Sequence, residues 1–357
     1  MDAVVLRRGE SHPTVIEKPR PAPEPGEALV RTLRVGVDGT DTEVLAGEHG
    51  SFPEGEDHLV LGHEAIGVVA DANGTDLAEG QLVVPTVRRP PPGGETAQFR
   101  LGQPDMAPPD ETLERGIDGA HGFMAEYFTS PAEYLVPAPD SVAEYGFLVE
   151  PISITEKAVE HAVAARSAFD WRPEAALVLG NGPLGLLTTA MFQTSDRFDD
   201  VYCLGKRDRP DPTIALIESL DATYIDSRET PVGDIADAYC GMDLVYEATG
   251  YARHAFEGLD AVAPNGVLAL LGVPGNWRFE IDGGRLHREA VLENKAMVGS
   301  VNSHRNHFRA ALDSLDRIPA WAVEDVVTGI YPHSEPGPAF DTTADTTIKT
   351  AIEFHHP

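Results

Sequence analysis

Over roughly the first 140 residues, short apolar runs alternate with polar positions and are cut by Gly and Pro. The runs 27–35 (EALVRTLRV), 65–71 (AIGVVAD), 80–87 (GQLVVPTV) and 132–136 (AEYLV) read as strands of an irregular β-rich domain. Between them, 88–122 carries RRPPPGG and APPD, which disfavours regular structure and predicts a surface lobe or loop. From about residue 153 the rhythm changes. The apolar runs 175–180, 200–204, 223–225, 243–248, 266–273 and 296–300 alternate with helical segments such as 186–193 and 212–220, where Pro212 suits a first helical turn. Six buried strands with crossovers describe an α/β, doubly wound parallel sheet. A helix is expected at 306–317, and the tail is too small for a domain of its own. Two domains follow, one at 1–152 completed by 301–357 and one at 153–300, with no internal repeat.

The charge changes this picture. Among 357 residues, 58 are Asp or Glu and 27 are Lys or Arg, a formal charge of −31. Only Lys18, Lys157, Lys206, Lys295 and Lys349 are lysine. The acids are spread along the chain, and such a surface repels itself unless concentrated salt screens it. A salt-filled cytoplasm is the expected setting. With no basic stripe, nucleic acid is an unexpected partner, and a neutral substrate is favoured over an anion. No apolar run approaches the ~20 residues of a membrane span, and the start MDAVVLRRGE has no signal-peptide core. Cys203 and Cys240 alone make neither a disulfide framework nor a cysteine zinc finger.

A glycine fingerprint, Gly180-Asn181-Gly182-Pro183-Leu184-Gly185, joins the apolar run 175–179 to a helical segment. In that setting Gly180 permits the tight turn, Gly182 lets the backbone approach a pyrophosphate, and Gly185 permits close packing of helix on strand. A chain that binds NAD usually places Asp or Glu about 20 residues further on. Here Gly205 is followed by Lys206 and Arg207. A missing acid and two added bases suit the 2′-phosphate of NADP, with NAD as the poorer cofactor.

Upstream stand Asp38, the pair His63–Glu64, and Glu150. A Lewis acid beside a hydride acceptor is the equipment for oxidising an alcohol. With G-x-D-G-T-D at 36–41, G-H-E at 62–64, E-P at 150–151 and the fingerprint at 180–185, the chain resembles the zinc-dependent medium-chain dehydrogenase/reductase superfamily over nearly its whole length. The resemblance implies a GroES-like catalytic domain, a Rossmann domain and a C-terminal return. It puts Asp38 at a position usually held by cysteine, makes His63 the imidazole ligand, and makes Glu150 the third ligand or an alternating partner of Glu64. Asp, His and Glu form a harder set than one with a thiolate, yet one that still suits Zn²⁺. The family's second, structural zinc needs four cysteines. Region 88–122 has none, so one catalytic zinc and no structural zinc are expected.

Within the superfamily, Glu114-Arg115-Gly116-Ile117, Gly122-Phe123-Met124-Ala125-Glu126-Tyr127 and Gly299-Ser300-Val301-Asn302 with His307-Phe308 are similar to the archaeal glucose dehydrogenases. That likeness implies sugar contacts at Glu114, Asn302, Thr40 and Glu150, with Thr40 and Glu150 as candidates for the proton relay. It also implies cofactor contacts at Thr249, Leu271, Gly272, Val273, Ser300, Val301 and Asn302. The implied reaction is oxidation of D-glucose at C1 to D-glucono-1,5-lactone with NADP⁺, in a homo-oligomer for which a dimer is favoured. The rivals are another neutral sugar or polyol, or a metal-free NADPH-dependent reductase.

Overall fold

The computed structural model describes residues 1–94, 96–341 and 346–357. They form two units. One comprises Met1–Ser153, Asn302–Asp316 and Val327–Pro357, and the other Ile154–Val301 and Arg317–Val326. The return to the first unit is therefore interrupted. The helix Ala320–Val326 buries Ala322, Val323 and Val326 and packs on the helices Pro183–Gln193 and Pro212–Ser219 of the second unit.

In the first unit, the strand Glu27–Val37 lies at the centre of a largely antiparallel sheet. It pairs with Glu64–Asp71, Lys349–Glu353 and Tyr127–Pro131. Its apolar positions Ala28, Val30, Val35 and Val37 enter a core with Ala65, Val69, Phe123 and Phe128. Each such burial contributes about 1.5–3 kcal/mol for a large side chain. That burial fixes the register, because a slip of one residue would turn the apolar set outward. The register also sets chemistry. Gly36 faces Glu64 on one side and Ala351 on the other, and Val37 faces Thr350. Asp38 follows Val37 and Lys349 precedes Thr350, so Asp38, Glu64 and Lys349 gather at one end of the sheet.

Two local expectations differ from the structure. The run 132–136 is not one strand. Ala132–Tyr134 is a 3-10 turn between the strands Tyr127–Pro131 and Leu135–Pro137, where Pro131 breaks the ladder. The lobe 88–122 is more regular than its prolines suggest. Arg88–Arg89, Leu113–Arg115 and Gly119–Ala120 form a small sheet, and Ala97–Arg100 a short helix. These elements are too short to show a hydrophobic period.

The second unit has a six-stranded parallel sheet in the order Thr223–Asp226, Asp200–Gly205, Ala175–Leu179, Met242–Glu247, Val262–Leu270, Ala296–Gly299. The fifth strand starts earlier than the run 266–273 and ends at Leu270. There the N–H groups of Leu271 and Gly272 turn to the Glu247 carbonyl. Among the described residues, no helix is long and apolar enough to cross a membrane.

Candidate metal and cofactor sites

Asp38 ends the central strand and caps the helix Gly39–Ala46. Its Oδ1 accepts from the Asp41 N–H at 3.0 Å, and Asp41 Oδ2 accepts from the Asp38 N–H at 3.1 Å. The other oxygen, Oδ2, accepts from Thr40 Oγ1 at 3.1 Å and lies 3.6 Å from His63 Nε2. The cap and the approach to His63 thus fall on two different oxygens. The ligand atoms of Asp38, His63 and Glu64 all lie within 4.8 Å of one another. Gly36 makes room for Glu64, since a Cβ there would sit 2.1 Å from Glu64 Oε2.

Glu150 stands outside that set. It is buried in the first turn of the helix Val149–Ala165, and its charge acts on His63. Burial, opposed by His63 and reinforced by Glu64 and Asp38, pushes its pKa up to about 8. Asp41, also buried, is pushed up to about 7. Burial works against the Asp38 carboxylate too, but His63 and Lys349 outweigh it and hold Asp38 well below the usual range. Burial likewise works against charged His63, yet Asp38, Asp41 and Glu150 hold its pKa well above the ordinary value. Four buried or half-buried carboxylates therefore share one imidazole and one ammonium. Three ligand atoms that converge amid surplus negative charge fit a divalent cation with hard or borderline preferences.

The ammonium belongs to Lys349, which sequence reasoning missed. It is 2 % exposed, and its Nζ donates to Glu64 Oε1 at 2.7 Å and lies 2.6 Å from Oε2. Glu64, Asp38 and Asp41 overcome its burial and raise its pKa. The scarcity of lysine was its one available signal.

Glu114 and Asn302, 188 positions apart, meet. Asn302 Nδ2 donates to Glu114 Oε1 at 2.7 Å, and Arg88 Nε donates to the same oxygen at 2.9 Å. Gly116 and Gly122 let this segment close on Gly62, beside His63. A Cβ on either would lie 2.4 or 2.3 Å from the Gly62 oxygen.

In the second unit, Gly180 has φ +114°, and a Cβ on Gly185 would meet the Gly180 oxygen at 1.8 Å, while Gly182 faces open space. Gly182 caps the helix Pro183–Gln193. The open space at this helix N-terminus fits a pyrophosphate. Asn181 donates to Thr213 Oγ1 at 2.7 Å and covers Gly205, where a Cβ would meet its Oδ1 at 2.5 Å. Lys206 and Arg207 are exposed. Arg207 borders a polar cavity of about 330 Å³ shared with Arg209, Tyr224, Asp226 and Arg228. Arg228 is held by Asp208 and Asp226, and Arg209 by Glu218. Thr249 donates to Glu247 Oε1. Leu271, Gly272 and Ser300 are half-buried, whereas Val273 and Val301 are exposed.

The family model described as "Glucose dehydrogenase C-terminus" matches residues 143–354, and that described as "Alcohol dehydrogenase GroES-like domain" matches 24–140. The chain belongs to the glucose dehydrogenase family of zinc-dependent medium-chain dehydrogenases. Within this family, glucose 1-dehydrogenase 1 of Haloterrigena turkmenica is 66 % identical, over 99 % of each chain. The solved structure of Haloferax mediterranei glucose dehydrogenase in complex with NADP, Zn and gluconolactone superposes with a TM-score of 0.97 at 64 % identity, covering 100 % of both chains. A D38C mutant of that enzyme matches with the same score and coverage. The GroES-like domain and Rossmann sheet expected from the sequence are those of the family.

Proposed function

We propose that this chain oxidises D-glucose at C1 to D-glucono-1,5-lactone and passes the hydride to NADP⁺, with NAD⁺ the poorer acceptor. The observation that carries this is full-length similarity, at 64 % identity and a TM-score of 0.97, to an enzyme solved with NADP, Zn and gluconolactone. When bound, one zinc supplies a Lewis acid for the sugar oxygen and NADP⁺ supplies the hydride acceptor.

The chain's own residues do the rest. Asp38 and His63 hold the cation, with Glu64 or, alternating with it, Glu150 as the third ligand. Glu114 and Asn302 bind sugar hydroxyls and orient the ring. Thr40 Oγ1, 3.1 Å from Asp38 Oδ2, and the Glu150 carboxyl take the proton from the C1 hydroxyl. Lys206 and Arg207 neutralise the 2′-phosphate, and Gly180–Gly185 receive the pyrophosphate. The lobe holds no zinc by cysteine, for it has none.

The setting is the cytoplasm of a salt-loving cell, and the working form is a homodimer. Exposed Met297 on the edge strand Ala296–Gly299, with exposed Val291 and Leu292 at the end of the helix Gly283–Leu292 that precedes it, favours self-association. A panel of sugars with NADP and NAD in molar KCl, with and without EDTA, tests the reading. Glucose turnover that prefers NADP and is lost with EDTA is expected. A metal-independent enone or quinone reductase activity would replace it.

A further inference from the structure

The small sheet of the lobe sets a charged pair. Arg88, in the strand Arg88–Arg89, stands directly opposite Glu114, in the strand Leu113–Arg115. Residues so placed lie on one face of the ladder. Arg88 Nε donates to Glu114 Oε1 at 2.9 Å, and the two side chains are only 6 % and 17 % exposed. Nη1 of the same guanidinium donates to the carbonyls of Pro104 at 3.4 Å, Asp105 at 3.0 Å and Ala107 at 3.3 Å. A planar fork gripped at both ends does not follow the carboxylate when it swings. Glu114 is therefore held against a fixed donor.

Asn302 Nδ2 donates to the same Oε1 at 2.7 Å. Its backbone is left-handed, with φ +59°, a conformation that asparagine tolerates better than most residues. The next residue, Ser303, shares a hydrogen bond with Ser153, Oγ to Oγ at 2.6 Å, and both serines are buried. Two donors thus occupy Glu114 Oε1, while Oε2 accepts from no described residue. An ionised carboxylate oxygen only accepts. Whatever bonds Oε2 must bring the proton.

We propose that Arg88 is a positioning residue for sugar recognition, fixing Glu114 through Oε1 so that Oε2 stands as the acceptor for one ring hydroxyl. This rests on Glu114 being a sugar contact, as in the proposed function, and Arg88 acts on the sugar only through Glu114. The arrangement sets a specificity. The hydroxyl at that ring position is read as a donor. Hydrogen in its place removes the bond, and fluorine brings a negative end against a carboxylate and no proton. A site built to hydrogen-bond a hydroxyl rejects analogues that lack it, because its own polar group is left unpaired.

The test measures kcat and KM with NADP, in molar KCl with zinc present, for glucose and for the deoxy and deoxyfluoro glucoses altered at C2, C3, C4 or C6. The proteins are wild type, Arg88→Met, Arg88→Lys, Glu114→Gln and Arg88→Met/Glu114→Gln. In wild type, one position should lose about tenfold or more in kcat/KM on either replacement. Arg88→Met should raise the KM for glucose about tenfold, leave kcat and the KM for NADP unchanged, and erase the penalty at the same position that Glu114→Gln erases. The double variant should lose no more than the worse single one, since both act on one contact. Arg88→Lys keeps a donor for Glu114 without the fork and should fall between wild type and Arg88→Met; it carries the test where Arg88→Met does not fold. An unchanged glucose KM in a folded Arg88 variant overturns the proposal. So does an equal loss at every ring position, or a loss that adds to that of Glu114→Gln. A wild type that oxidises none of these sugars overturns the proposed function itself, and the role of Arg88 with it.

Discussion

The two candidate sites are built in opposite ways. The metal cluster draws Asp38, His63, Glu64, Glu150 and Lys349 from four separate stretches and buries most of their charge. The edge proposed for the 2′-phosphate is local. Lys206, Arg207, Asp208 and Arg209 are consecutive and exposed, with Arg228 and Asp226 close by. A buried charge that loses its partner has no water to turn to, whereas an exposed one is screened within ~3 Å in molar salt. The cluster should therefore fail abruptly when touched and the edge should yield by degrees.

His63→Ala is the largest break. It should abolish zinc binding at the cluster and turnover together, while NADP binding, measured by fluorescence titration, survives. Lys349→Met comes next, because it leaves Glu64 buried without its ammonium. Loss of one partner of such a pair costs about 3–5 kcal/mol, read as a lower Tm, and Glu64→Gln in the same chain should recover much of it. A Tm unchanged by Lys349→Met would make the pair incidental.

Lys206→Ala with Arg207→Ala tests the exposed edge. Hydrogen bonds to charged groups contribute about 1.5–3 kcal/mol. The KM for NADP should rise about tenfold or more, that for NAD should barely move, and the difference should shrink as KCl is raised. Equal effects on both cofactors would sink the 2′-phosphate assignment. Asn302→Ala should have the smallest effect. One neutral hydrogen bond is worth about 0.5–1.5 kcal/mol, seen as a higher glucose KM with the NADP KM unchanged.

The same contrast governs what the sequence disclosed. The edge and the glycine turn were legible because their residues are contiguous, and the glycines at 180, 182 and 185 stand where a helix meets a strand. Asp38, His63 and Glu64 were legible through spacing and family likeness. Lys349 was not, for it reaches Glu64 across 285 positions through the register of Lys349–Glu353 on the central strand. The lobe strands at 88–89, 113–115 and 119–120 were hidden because two or three residues carry no period. The excursion of 317–326 into the second unit was hidden because its buried face, Ala322, Val323 and Val326, names no partner.

In the proposed function, a cation held by Asp38, His63 and Glu64 sustains glucose oxidation with NADP⁺. The most direct measurement strips the full-length enzyme with EDTA in molar KCl and returns zinc stepwise to wild type and His63→Ala. NADPH formation from glucose should reappear with zinc in wild type and stay absent in His63→Ala. Turnover that persists after stripping, or that zinc restores without His63, would contradict the account.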